Sequence, residues 1–213
     1  MGESREVAHE LVFAVAHEIG NHLGGIRLQA HLIDEEFDVR SLAEASIAID
    51  EMAGRSGRLL ALLRPLLADV FRISSGEGWS SLLGRVRQQI EDEGTRGARF
   101  ELEYPAEDSH EAPPLEWIHS LLVVLVGATI AHVGSRGSVV VALEKGDDVT
   151  ILSVEDDGEE EDLSPEGAYR GRPLALALAR ELLGRAGGRV EARRCAKAPS
   201  PTTRVELVFS NPR

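Results

Sequence analysis

The sequence holds a single cysteine, Cys195, in 213 residues. That rules out an internal disulfide framework and a cysteine-built zinc site, and it fits a reducing compartment. Aromatic residues make up only 4% of the chain, so leucine, valine, isoleucine and alanine must build the core. Positive charge is also short: 23 Lys and Arg stand against 36 Asp and Glu, a formal net charge of −13. A surface of that sign argues against a general nucleic-acid or anionic-membrane partner. No apolar run is expected to span a membrane, because the longest, residues 118–132, contains polar side chains. The opening Met-Gly-Glu-Ser-Arg-Glu is polar and has no secretory apolar stretch, so a cytoplasmic location is expected. What is present is globular in character, with 43% hydrophobic and 28% charged residues.

Two halves differ in pattern. In the first, Val12, Ala16, Ile19, Leu23, Ile26, Ala30 and Ile33 recur at alternating spacings of four and three, the seam of a coiled coil or helical bundle. After a break near 36–40, Ser41-Leu42-Ala43-Glu44 reads as a capping box opening a second helix. Its seam is Ala45, Ile49, Met52, Ser56, Leu59, Leu63, Leu66 and Val70, in which only Ser56 is polar. Pro65 should kink or shorten that helix. A lone hairpin leaves part of each apolar stripe bare. The pattern therefore predicts a homodimeric four-helix bundle, unless residues 72–213 cover the stripe within one chain.

The second half alternates. Helices are expected over 79–93, 115–133 and 173–186, and strands over 99–104, 138–144, 149–155, 189–194 and 203–209. Residues 145–148 read as a turn, and Gly187-Gly188 as a helix stop. The expected class is α+β: a helical hairpin over residues 1–71, then an α/β sandwich over 72–213 with helices on one face of a mixed sheet.

Candidate chemistry sits on the first helix, in Ala16-His17-Glu18-Ile19-Gly20-Asn21-His22-Leu23. His17 lies one residue past the seam, about 100° around the helix, and should face solvent. Asn21 is one turn later on the same face. An exposed imidazole can attack phosphorus, and a carboxylate such as Glu18, by accepting the other ring N–H, raises its basicity. A carboxamide one turn away can orient a water or a phosphoryl oxygen. The stretch also approaches the zinc-protease pattern HExxH, but Asn21 holds the fifth position and His22 comes one residue late, so one metal cannot be chelated from one face. An exposed histidine with no role fits the same spacing. Ala8-His9-Glu10 repeats the start of the motif with Phe13 in place of the asparagine, which makes His9 the weaker candidate.

On these residues the sequence resembles the two-component sensor histidine kinases. His17-Glu18-Ile19-x-Asn21-x-Leu23 is similar to their H box, and Val154-Glu155-Asp156-Asp157-Gly158 to the first glycine box, in which the resemblance makes Asp156 the adenine-recognising aspartate. Gly171-Arg172-Pro173-Leu174-Ala175 with Gly187-Gly188 is similar to the second glycine box and the strand after it. The resemblance covers nearly the whole chain. It implies a dimeric phosphoacceptor hairpin joined to a Bergerat-type ATPase domain. The departures are as informative as the matches. Val124 and Ala128 stand where the family's N box carries two asparagines that hold magnesium and phosphate, Glu160 replaces a glycine, and Pro173 and Ala175 replace glycines whose N–H groups approach phosphate. Glu155, Asp156, Asp157, Glu159, Glu160, Glu161 and Asp162 place seven carboxylates in eight residues. A triphosphate beside them should be repelled, at about 1 kcal/mol per close pair in water and about 4 kcal/mol near a protein surface.

The resemblance with its departures implies a histidine phosphotransferase of a phosphorelay that has lost ATP. His17 would be the phosphoacceptor, with Glu18 and Asn21 assisting, and no metal or cofactor bound by the chain itself. Magnesium would arrive on the receiver domain. The expected partners are a second copy, receiver domains of response regulators and an upstream hybrid kinase, and a start at Met1 without a sensor segment agrees with that role. Gly24, Gly25 and Leu28 are candidates for receiver contact. Glycines are costly in a helix, at roughly 1 kcal/mol each, and Gly20, Gly24 and Gly25 admit either close partner access or tight bundle packing. Two other functions remain: a regulator or phosphatase of a response regulator, and a divergent ATP-dependent kinase.

Overall fold

The computed structural model describes residues 2–35, 39–67, 77–95, 97–104, 112, 115–159, 171–195 and 202–210. It opens with two long helices, α1 (Gly2–Glu35) and α2 (Val39–Leu67), packed along each other as a hairpin. There follow α3 (Trp79–Glu93), β1 (Arg99–Glu103), α4 (Ile118–Val133), a 3-10 turn at Gly134–Arg136, β2 (Ser138–Lys145), β3 (Val149–Asp156), α5 (Gly171–Arg185), β4 (Arg189–Cys195) and β5 (Thr202–Ser210). The strands form one mixed sheet in the order β1-β2-β3-β5-β4. Among the described strands only β1 and β2 pair in parallel, and α4 is the crossover that a parallel pair requires. The class is α+β, as the pattern of elements predicts.

Strand periodicity gives the sheet two chemically distinct faces. Val139, Val141, Leu152, Val154, Val205 and Leu207 are buried on the inner face, beneath α4 and α5. The outer face carries an ion-pair lattice in which Arg204 reaches Glu144 at 2.7 Å and Glu206 at 2.8 Å, with Arg193 on Glu206 at 2.7 Å. Helix α5 stops at a left-handed glycine, Gly187 at φ 79°, where Gly188 N–H returns to Leu183 O at 2.8 Å.

The hairpin docks onto this unit. Leu11 and Val15 of α1 and Leu59, Leu62 and Leu66 of α2 join the same apolar core as α4 and α5. Two arginines add to that packing. Arg185 of α5 donates from Nη1 to Leu66 O at 2.9 Å and Pro65 O at 3.4 Å, capping the end of α2, and Arg58 of α2 pairs with Glu93 of α3 at 2.5 Å.

Several local expectations change. Helix α2 begins at Val39, so Ser41 lies inside it rather than capping it, and Glu44 pairs with Arg40 at 2.9 Å. Pro65 is tolerated within the last turn, next to the carbonyls that Arg185 serves. On α1 the fully buried positions are Leu11 and Val15, while Ala16, Leu23 and Ala30 of the expected seam are exposed in the single chain. The contact with α2 and α5 follows a line one residue earlier. The stretch Ile118–Arg136 is long and apolar enough to cross a membrane by length and composition, contrary to expectation. Here it is the central core helix, with Leu121, Leu122, Leu125 and Val126 buried among α2, α3, α5 and the sheet. The boundary expected at 71/72 and Val70 lie outside the described residues.

Candidate functional site

His17 is exposed on α1, as its offset from the seam predicts, and Asn21 is exposed one turn on. Glu18 is half-buried. Its Oε1 lies 3.9 Å from Nε2 of His22, one turn away on its own face. The other ring nitrogen of His22, Nδ1, is 3.1 Å from Ser56 Oγ on α2, and that hydroxyl donates to Met52 O at 2.8 Å. The polar gap in the α2 seam is therefore the seat of a histidine from α1. Burial lowers the basicity of His22; Glu18 opposes this, while Arg55 and Arg58 reinforce it.

The glycines of α1 separate by environment. A Cβ at Gly25 would come within 2.5 Å of Met52 Sδ, so this glycine leaves room for the end of the Met52 side chain against α1. A Cβ at Gly20 or Gly24 would meet nothing within 4 Å. With Leu28, which is 58% exposed, Asn21 and Gly24 make an open strip of surface.

A cavity of about 220 Å³ lies where the hairpin meets α3, α4 and α5. Its polar wall is Glu18, His22, Arg55, Arg58 and Glu93, and the opposite wall is apolar, with Val123, Val124 and Ala128 of α4 and Leu174 of α5. Arg55 is paired with Glu51 at 3.2 Å. Burial lowers the pKa of Arg58, and Glu93 pulls it back up. Val124 and Ala128 thus lie on the apolar wall of this cavity, across from the polar side chains of the hairpin.

Asp156 closes β3 on the inner face and is buried. Its Oδ1 accepts Gly158 N–H at 3.0 Å, and its Oδ2 accepts Arg172 Nη2 at 2.5 Å. Arg172, in the first turn of α5, is itself buried. Beside the pair, His132 Nε2 lies 3.0 Å from Glu159 O, and a Cβ on Gly158 would come within 2.7 Å of the His132 ring. The acidic run does not act as one block. Glu155 lies on the outer face, accepting from Thr202 Oγ1 at 2.9 Å, Asp156 points inward, and Asp157 accepts Ser138 N–H at 2.6 Å. Residues 160–162 lie outside the described residues. Among the described residues no three His, Cys, Asp or Glu side chains cluster as a metal site.

No protein-family model matches the chain, and no curated protein matches it. Solved structures do. The Acinetobacter baumannii histidine kinase AdeS aligns over 92% of this chain and 98% of its own, at TM-score 0.62 and 14% identity. The chain has the fold of a histidine kinase core. A structure described as a bacterial phosphotransferase matches over 94% and 95% at TM-score 0.56 and 16% identity. The histidine kinase ThkA, solved in complex with the response regulator TrrA, matches 97% of this chain and 63% of its own, at TM-score 0.58 and 18% identity.

Within this histidine kinase core fold, the structure brings Glu18 to His22 and to the cavity, and leaves His17 and Asn21 on the open surface. Two participants were not legible as such in the sequence. Arg172 sits among glycine-box residues, with no local signal that it reaches Asp156. His22 looks like a misplaced metal ligand until Ser56, 34 residues away, supplies its partner.

Proposed function

We propose that the protein is a histidine phosphotransferase of a two-component phosphorelay, passing a phosphoryl group between receiver aspartates through His17 without an ATP of its own. The observation that carries this reading is the buried Asp156–Arg172 pair. In the resemblance, that aspartate reads adenine. Here both its oxygens are engaged within the chain, and His132 crowds the adjoining glycine. With Val124 and Ala128 in place of the N-box asparagines, the residues present do not fit an adenine nucleotide and its magnesium. The phosphotransferase among the structural matches, and the response regulator bound to ThkA, support phosphoryl transfer with a receiver partner.

In the proposed step the His17 imidazole attacks the phosphorus of a receiver phosphoaspartate in line. The N–P bond forms as the acyl-phosphate P–O bond breaks, and the aspartate leaves as carboxylate. The second ring nitrogen keeps its proton, which Glu18 steadies as an acceptor. Reversal onto a second receiver completes the relay. The receiver brings magnesium, and it docks on the strip formed by Asn21, Gly24 and Leu28 with Gly25 beneath. A second copy completes a four-helix bundle, because Leu23, Ile47 and Leu60 are each more than half exposed in the single chain.

The test is to incubate the chain with a phosphorylated receiver. Acid-labile, base-stable phosphate should appear on it and vanish in His17→Ala. Calorimetry with ATP and magnesium should show no binding, and measurable affinity would favour the kinase reading. Exposed Asn21, which could hold a water, favours a phosphatase as second reading. Under it, receiver phosphate would be lost with none trapped on His17.

A further inference from the structure

The contacts of His22 fix its proton. A serine hydroxyl has one hydrogen, and that of Ser56 goes to Met52 O, a carbonyl that can only accept. Towards the ring, Ser56 Oγ can therefore only accept, so Nδ1 carries the hydrogen. In the neutral ring Nε2 is then a bare lone pair, and it faces the Glu18 carboxylate at 3.9 Å. Two acceptors cannot bond each other, and the gap exceeds a hydrogen bond. A proton arriving at Nε2 reverses this. Imidazolium and carboxylate would close to a charge-assisted bond, with the glutamate one turn N-terminal to the cation, the favourable order on a helix.

The geometry points to His22 as a proton-operated positioning residue: neutral, with Nδ1–H held by Ser56, it leaves Glu18 available to His17, and protonated at Nε2 it captures Glu18. The surroundings set where the change occurs. From α1 only Glu18 faces the ring and favours the proton; from α2 Arg55 and Arg58 oppose it, each with its own carboxylate in Glu51 and Glu93. The α4 and α5 residues on the cavity, Val124, Ala128 and Leu174 among them, are uncharged. Burial also disfavours the charged ring. Capture is therefore displaced to a lower pH than an unperturbed histidine would need. This deepens the proposed function and rests on Glu18 assisting His17.

Ring-nitrogen NMR on the full chain, with the signal assigned by its loss in His22→Gln, reads the proton directly. The expected pattern near neutral pH is Nδ1–H with bare Nε2, a midpoint lowered from that of an unperturbed histidine, and a Glu18 carboxyl carbon that shifts at the same midpoint. An Nε2–H tautomer, or a Glu18 signal indifferent to His22, overturns the inference whether or not the chain transfers phosphate. Ser56→Ala removes the acceptor for Nδ1–H, so the ring should change tautomer and donate Nε2–H to Glu18. Phosphoryl uptake near neutral pH should then fall about tenfold, the scale of one lost hydrogen bond to the His17 ring, and Glu18→Gln should add nothing further. Unchanged uptake in Ser56→Ala alongside the changed tautomer would sink the coupling. Absence of uptake in the unmodified chain would instead remove the phosphotransferase reading and leave the tautomer and capture results standing.

Discussion

Arg172 is 2% exposed, yet its Nε and Nη1 have no hydrogen-bond partner among the described residues. A guanidinium so placed is tolerable only because the third nitrogen meets Asp156. Arg172→Met should cost about 3–5 kcal/mol by urea denaturation, the range for stranding one partner of a buried pair, whereas adding Asp156→Leu should recover most of the loss. His22 and His119 give a second prediction. Burial lowers the basicity of both, and at His119 the charge of Arg85 adds to the effect while a hydrogen bond with its backbone opposes it. The unfolded chain therefore takes up protons first, so stability rises with pH. Melting temperature should drop as pH falls from about 7 through about 6, the ordinary histidine range, and His119→Gln should flatten that slope. The sequence marked His17, Glu18, Asn21 and Asp156 from local motifs. It could not reveal Arg172 or the His22–Ser56 contact, because both depend on segments brought together only by folding.

The elements were more legible than their faces. Helix α3 spans the expected 79–93, and every expected strand is present within a residue or two, because β-branched alternation and glycine stops are local signals. The buried line of α1 was less legible. Adjacent four-three ladders of apolar residues run along that helix, and which one turns inward depends on α2 and α5. The capping box at Ser41 failed because α2 already runs from Val39, and Glu44 pairs with Arg40 on the exposed first turn instead of reaching back to a cap. At its other end, α2 relies on a side chain from another element. Arg185→Ala should remove two charge-assisted contacts to its last carbonyls and cost about 1.5–3 kcal/mol. Amide exchange should quicken in the last turn of α2 and at Arg58–Glu93, while the sheet strands keep their protection.

At the scale of the molecule, the order of elements was enough to resemble a histidine kinase core, and the sheet order β1-β2-β3-β5-β4 now joins that resemblance to solved folds. The proposed second copy makes a direct prediction: sedimentation should report twice the 23.1 kDa chain mass. Leu23→Glu with Ile47→Glu should return the single chain with unchanged circular dichroism, because both side chains are exposed before assembly. The Asp156–Arg172 pair also bears on how such a protein can change through descent. Losing either member alone leaves a naked charge in the core, so each first step toward a different pocket passes through a less stable intermediate. Substitution at either position is therefore constrained by the other, and the two can change safely only together.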